Sequence, residues 1–174
     1  EAAVREILLA IGEDPDREGL LDTPSRVARA YGEMFGGLDQ SPAAHLARQF
    51  PQDGSDPVMV TDIPFTSMCE HHLLPFTGVA HIAYQPQHGR VVGLSKLART
   101  VQILARRPQQ QERLTQQVRE AIEEHLDPAG VLVMLEATHS CMQIRGAKAH
   151  GASMKTRSVG GRWERDAATR REIQ

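Results

Sequence analysis

The chain has 174 residues, 40% of them hydrophobic, and a formal net charge of −2, which allows one domain with a sizeable core and leaves little room for a second. With 20 Lys and Arg against 22 Asp and Glu there is no global basic field to draw nucleic acid, so any phosphate binding has to come from a local cluster. The longest aliphatic run, Val131 to Leu135, is far short of a membrane span, and two cysteines without a framework spacing suit a reducing compartment, so a cytoplasmic protein is expected.

Ala3, Ile7, Leu8 and Ile11 recur at helical spacing until Gly12 and Pro15 end the pattern. A second helix is predicted from Thr23-Pro24, with Thr23 as cap and Pro24 at the first helical position, through Val27, Ala30, Tyr31 and Met34 to Gly36-Gly37. Ser41 to Pro57 is rich in Pro, Asp, Gln and Gly without a period and reads as a connecting segment, so residues 1–57 form a helical amino-terminal segment. Val58 to Phe65 and Phe76 to Gln85 then alternate as strands, with Phe76, Ala80, Ile82 and Tyr84 on one face, and the turn Pro86-Gln87-His88-Gly89 leads to Val91-Val92. Leu94, Leu97, Ala98, Val101 and Leu104 mark a helix that Pro108 breaks; Leu114, Val118, Ile122 and Leu126 mark another that stops at Asp127-Pro128. Val131 to Ala137 is a short apolar strand, and His139 to Arg145 reads as the next. The order ββααββ over residues 58–161 is an α+β pattern, a four-stranded antiparallel sheet with two helices on one side. Residues 162–174 read as a charged, exposed tail.

The chemistry concentrates in two short runs, Met68-Cys69-Glu70-His71-His72 and Thr138-His139-Ser140-Cys141. Each cysteine of the chain stands within three residues of a histidine, and both runs border strand-like segments able to bring them together. A buried thiol pair or a disulfide is the plainer reading of two distant cysteines, but it leaves the histidines without a reason. Zinc takes thiolate sulfur and imidazole nitrogen tetrahedrally; structural sites close with four protein ligands, and catalytic sites keep three and an open place for water. Two cysteines and one histidine make three, the count of an open site, with further imidazoles to spare. If His139 to Arg145 is extended, His139, Cys141, Gln143 and Arg145 share a face, and Cys141 and Arg145 stand roughly 13 Å apart at about 3.3 Å per residue.

Four segments together resemble the GTP cyclohydrolase I family. They are Cys69-Glu70-His71-His72, Gly93-Leu94-Ser95-Lys96-Leu97-Ala98-Arg99, Arg107-Pro108-Gln109-Gln110-Gln111-Glu112-Arg113-Leu114-Thr115, and His139-Ser140-Cys141 through Arg145-Gly146. The likeness runs from Thr23 to about Gly161 in one order and at compatible spacing. It implies the tunnelling fold, in which subunits join their sheets into a barrel and two pentamers stack as a homodecamer with shared active sites. It also implies the reaction: hydrolysis of the imidazole ring of GTP, release of formate and formation of 7,8-dihydroneopterin triphosphate, a first step toward folate, other pterins or deazapurines.

Carried over residue by residue, the resemblance implies zinc on Cys69, His72 and Cys141, with His71 and His139 as proton-transfer residues. It gives Glu112, assisted by Gln111, the guanine base, where the sequence alone reads Glu112 as a first-turn glutamate favourable to the helix dipole. Lys96, Arg99 and Arg145 correspond to triphosphate contacts, with Arg26 and Arg29 as further candidates, and Ser95 to a ribose or phosphate contact or a helix cap. The segment Ala147 to Ser158 departs from the family pattern, being more basic and poorer in hydroxyls. Two other classes fit the motifs: a related tunnelling-fold enzyme that stops at ring opening, and a zinc-stabilised binding protein without turnover. The missing Pro-Cys-x-x-Cys disfavours a cytidine-deaminase-type site.

Overall fold

The computed structural model describes residues 1–166. Helices α1 (Ala2–Ala10), α2 (Thr23–Met34) and α3 (Ala43–Leu46) precede the short strand β1 (Gln49–Pro51). Next come β2 (Val58–Cys69), β3 (Pro75–Gln85), β4 (Arg90–Val92), α4 (Leu94–Ala105), β5 (Pro108–Gln109) and α5 (Gln111–Leu126). The chain continues through β6 (Gly130–His139), α6 (Ser140–Gln143) and β7 (Met154–Gly161) to a 3-10 turn at Arg162–Glu164.

The main sheet has the order β5-β2-β3-β6-β7, antiparallel throughout its four long strands, while β1 pairs with β4 as a separate ribbon. This is the expected α+β architecture. On β3 the alternation holds as predicted: Phe76, Ala80, Ile82 and Tyr84 are all buried, and they meet Leu97, Val101 and Leu104 of α4 and Leu114, Val118 and Ile122 of α5 in one core. The Tyr84 hydroxyl, buried there, accepts the Val92 N–H at 3.1 Å and so ties β4 to the sheet. At Gly78 of β3 a Cβ would stand 1.9 Å from the Glu136 carbonyl oxygen of β6, so no larger residue fits there.

Several details differ from the sequence reading. His139 to Arg145 is not a strand: β6 ends at His139, α6 follows, and the fourth long strand is Met154–Gly161. The single face of His139, Cys141, Gln143 and Arg145 therefore does not exist. Physically, one helical turn, closed by the Ile144 N–H on the Ser140 carbonyl at 3.0 Å, swings Cys141 toward the end of β2. The connecting segment Ser41 to Pro57 contains α3 and β1. Asp22, not Thr23, precedes the first turn of α2, and Leu94 is 60% exposed.

The amino-terminal helices are tied to the body by the backbone. Gly37 N–H donates to the Arg106 carbonyl at 3.0 Å, and the Arg106 and Arg107 guanidiniums donate to the Glu33 and Gly37 carbonyls at 2.7 and 2.9 Å. The exposed tail expected from Arg162 starts later, because Trp163 is fully buried against Gly130 and packs with Ala83 and Leu132 on the sheet face opposite the core helices. Residues 167–174 of that tail lie outside the described residues. No helix of the described residues is long and apolar enough to cross a membrane.

Trp163 accordingly anchors the end of the chain. Trp163→Ala is expected to cost about 3–5 kcal/mol, the usual range for deleting a buried aromatic. Urea denaturation at matched protein concentration reads this directly, and a loss below about 1 kcal/mol would return Trp163 to the tail.

Candidate metal centre and active site

β2 ends on Cys69, which is buried. The chain then doubles back, with the Leu73 N–H donating to the Cys69 carbonyl at 2.8 Å and the Cys69 N–H to the Leu74 carbonyl at 2.9 Å. Leu73 takes the left-handed conformation, φ 51°, that this turn demands. His72 rides on the turn, and Cys141 arrives from α6 across the sheet end. The ligand atoms of Cys69, His72 and Cys141 all lie within 4.8 Å of one another. A tetrahedral ion with metal–sulfur bonds of about 2.3 Å needs ligand atoms roughly 3.8 Å apart, so a contraction of less than about 1 Å completes the site.

The charges ask for a cation as well. Both cysteines are free. Burial, and after it the neighbouring Cys69, raises the Cys141 thiol above its ordinary pKa, while Arg145 pulls it down. A cation between the two sulfurs removes that penalty, and two thiolates with an imidazole are a donor set for a borderline or soft transition ion rather than for calcium or magnesium. The group fits the residues present.

The two remaining histidines are held differently. His139 closes β6 opposite Phe76 of β3, and the rings stack with centroids 4.5 Å apart and 3° between planes. Its Nε2 stands 2.8 Å from the Gln111 Oε1. Burial lowers its pKa, and the Glu112 carboxylate partly offsets this. His71 is exposed and lies between Cys69, whose sulfur is 3.8 Å from its Nδ1, and Gln110, whose amide nitrogen is 3.3 Å from its Nε2.

Of the other candidates, Glu112 lies in the first turn of α5 within electrostatic reach of His139, and Arg145 acts on Cys141. Gln111 is buried, and its amide contacts are all internal: it donates toward the Leu135 and Met154 carbonyls at 3.1 and 3.0 Å and the Thr156 hydroxyl at 3.1 Å. Ser95, Lys96 and Arg99 are on the first turns of α4. The far end of α4 is the one near the cysteines, since the Ala105 carbonyl accepts the Ser67 hydroxyl at 2.7 Å. At about 1.5 Å per residue, Lys96 stands roughly 14 Å back along the helix. Arg26 is on α2, paired with Asp22 at 3.1 Å, and among the described residues it makes no contact with the cysteines.

Three residues escaped the sequence reading. Glu70, between ligand and histidine, accepts the Arg113 guanidinium at 2.5 Å and the Gln110 amide at 2.8 Å. Gln110 and Arg113 reach it because β5 pairs in parallel with the end of β2, Met68 opposite Pro108 and Cys69 opposite Gln109. The only sequence signal was their position, on either side of Gln111-Glu112.

Comparison with known proteins adds to this geometry. The family profile described as GTP cyclohydrolase I matches residues 1–174. Proteins named GTP cyclohydrolase 1 from Bacillus mycoides (strain KBAB4) and Bacillus cereus (strain B4264) are each 58% identical over 173 residues, covering 99% of this chain and 92% of the relative. Among solved structures, an archaeosine synthase QueF-Like in the apo form superposes with a TM-score of 0.52 at 15% identity, over 63% of this chain and 97% of that one. That likeness concerns the fold alone.

Removing one sulfur should empty the metal centre. Metal analysis of Cys141→Ala after gel filtration is expected to show a small fraction of the ion carried by the parent protein, whereas His71→Ala keeps most of it. Full occupancy in Cys141→Ala would take Cys141 out of the ligand set.

Proposed function

The chain belongs to the GTP cyclohydrolase I family, and we propose that it hydrolyses the imidazole ring of GTP, releasing C8 as formate and yielding 7,8-dihydroneopterin triphosphate. The observation that carries this reading is the meeting of Cys69, His72 and Cys141 with His139 and Glu112 beside them.

Zinc is the ion we assign to Cys69, His72 and Cys141; when bound it supplies a Lewis acid that makes water acidic enough to attack near neutral pH. The residues of the chain do the rest. Guanine offers N1–H and the 2-amino group side by side, and the Glu112 carboxylate accepts both, which orients C8 toward the metal centre. Its first-turn position suits this task, since helix geometry leaves the side chain exposed at the end of α5 next to His139. His139 takes a proton from the attacking water and delivers it to the imidazole nitrogen as the ring opens; burial, partly offset by the Glu112 carboxylate, lowers its pKa and so favours handing the proton on. Arg145, close to Cys141, stands where a phosphate or ribose oxygen would pass.

The remaining phosphate contacts come, in this reading, from a second subunit. Lys96 and Arg99 lie toward the end of α4 that points away from the same chain's metal centre. The sheet supports assembly: among the described residues β7 has no partner on its outer edge, and β5 covers only the Met68–Cys69 end of β2. Two long open edges invite head-to-tail pairing between copies, and repetition of that pairing closes a ring. A homodecamer of stacked pentameric barrels is the assembly we propose.

The activity is tested by incubating the metal-loaded protein with GTP and assaying formate together with the fluorescence of the oxidised pterin. Both are expected; a ring-opened formamide as sole product would leave only the first hydrolysis. His139→Ala should keep its metal and assembly yet turn over about 10²-fold or more slowly, the scale for a positioned acid or base, and loss of metal in proportion to activity would instead make His139 a ligand.

Shared sites make a separate prediction. Lys96→Ala and His139→Ala are each expected to be nearly inactive. Co-assembled after reversible dissociation, they should recover a sizeable share of parental activity, because some sites then draw an intact Lys96 and an intact His139 from different chains. Mixed assemblies no more active than either variant would place both residues in one chain's site.

A further inference from the structure

Gln110 and Gln111 are neighbours at the junction of β5 and α5. Gln110 is still extended, φ −107° and ψ 142°, and Gln111 is the first helical residue, so the two side chains leave in different directions. One reaches His71 and the other His139. The orientation of each amide is fixed by partners that can only accept. The Gln110 nitrogen must be the atom facing Glu70 Oε1 at 2.8 Å, because a carboxylate offers no hydrogen. The Gln111 nitrogen must face the Leu135 and Met154 carbonyls. Its third neighbour, the Thr156 hydroxyl, is oriented by a relay: the Thr115 hydroxyl donates to the Gln111 backbone carbonyl at 2.7 Å, and its oxygen, 2.7 Å from Thr156, then receives the Thr156 hydrogen.

The remaining atom of each amide then dictates a histidine tautomer. Gln111 presents Oε1 to His139, so His139 must carry its proton on Nε2. Gln110 presents N–H to His71 Nε2 at 3.3 Å, a nitrogen that also has Glu70 Oε1 at 4.0 Å, so the neutral His71 ring accepts from Gln110 there and carries its proton on Nδ1, which faces the Cys69 sulfur at 3.8 Å. We propose that the adjacent glutamines are positioning residues that hold the two histidines in opposite tautomers, leaving His139 Nδ1 as the ring nitrogen that exchanges a proton with the substrate. His71 then has both nitrogens engaged, one by Gln110 and one by the Cys69 sulfur, and serves the metal ligand rather than the purine. The roles of the two histidines rest on the proposed GTP reading; the tautomers do not. Gln111 is thereby removed from the base pocket, since each of its amide atoms is used inside the protein.

Neutron diffraction from deuterium-exchanged, metal-loaded crystals reads the tautomers without any turnover. Deuterium on His139 Nε2, pointing at Gln111, and on His71 Nδ1 is expected; deuterium on His139 Nδ1 with Nε2 bare, or on His71 Nε2, overturns the assignment. Kinetics of Gln111→Met with GTP add a second measurement. A fall in kcat of about ten-fold or more, with KM and metal content close to parental, fits a residue that acts through His139. A raised KM with kcat unchanged would return Gln111 to the substrate and overturn the proposal. If Gln111→Met does not assemble, Gln110→Ala on the exposed side of the junction gives the complementary reading, with the deuterium of His71 expected to lose its fixed place and a retained Nδ1 position counting against the proposal. Should the parent protein fail to hydrolyse GTP, the functional reading falls while the neutron result still decides the tautomers.

Discussion

Two residues of parallel pairing, Met68 with Pro108 and Cys69 with Gln109, set the distance between the metal-ligand turn and the start of α5. An antiparallel sheet has no need of such a pair, and β5 is too short to contribute much cohesion. What it supplies is register. Once Cys69 lies opposite Gln109, the Glu70 N–H donates to the Gln109 carbonyl at 3.0 Å, Arg113 in the first turn of α5 meets the Glu70 carboxylate, and Gln110 and Gln111 diverge toward the two histidines. Gln109 itself is pinned from behind, its amide donating to the Leu104 carbonyl at 2.9 Å and to Gln117 at 2.8 Å. A slip of one residue would take the Gln111 amide away from the Leu135 and Met154 carbonyls and from His139, and each lost hydrogen bond costs about 0.5–1.5 kcal/mol.

The metal centre strains against that rigidity in a useful way. Two thiolates up to 4.8 Å apart repel by roughly 3–4 kcal/mol at an effective dielectric constant of 20, and burial of Cys69 adds to the cost. Among the described residues, His71 Nδ1 stands 3.8 Å from the Cys69 sulfur, and the exposed Arg145 acts on Cys141. The sheet end is therefore preorganised for a cation rather than for two free thiols, and an ion held by Cys69, His72 and Cys141 would link the end of β2 to α6. Metal binding and order at this end of the sheet would in this sense be one property.

The sequence made the reactive groups legible because cysteine and histidine have few other reasons to cluster, and it made β3 and the two core helices legible because their periods are clean. It did not reveal the turn at Ser140–Gln143. Met142 and Ile144 alternate with polar residues there as a half-buried strand would, yet both are exposed, because the segment is shaped by where Cys141 has to go. Strand β7 was hidden for the opposite reason: its alternating half-buried and exposed residues are basic and small, with Lys155 paired to Glu136 at 3.0 Å across the strands, and such a composition reads as loop. Trp163 was hidden in a charged stretch by its neighbours. The glutamines were hidden because a two-residue parallel pairing leaves no pattern in a sequence, and an amide becomes informative only when its acceptors are known.

The placement of α4 explains why one chain is not a complete machine in this reading. The core needs the buried face of α4, Leu97, Val101 and Leu104, over the middle of the sheet, and the Ser67 hydroxyl needs its carboxyl end near Cys69. These two requirements leave the amino end of the helix, with Ser95, Lys96 and Arg99, pointing away from the metal. Moving those cations to the cysteines would mean reversing the helix and losing its packing. Bringing a second copy alongside costs no internal contact, because the open edges of β2 and β7 already want partners. A rigid sheet end for the ring chemistry, met by basic residues from an adjoining chain for the phosphates, is the arrangement that satisfies the core, the sheet edges and a long anionic substrate together.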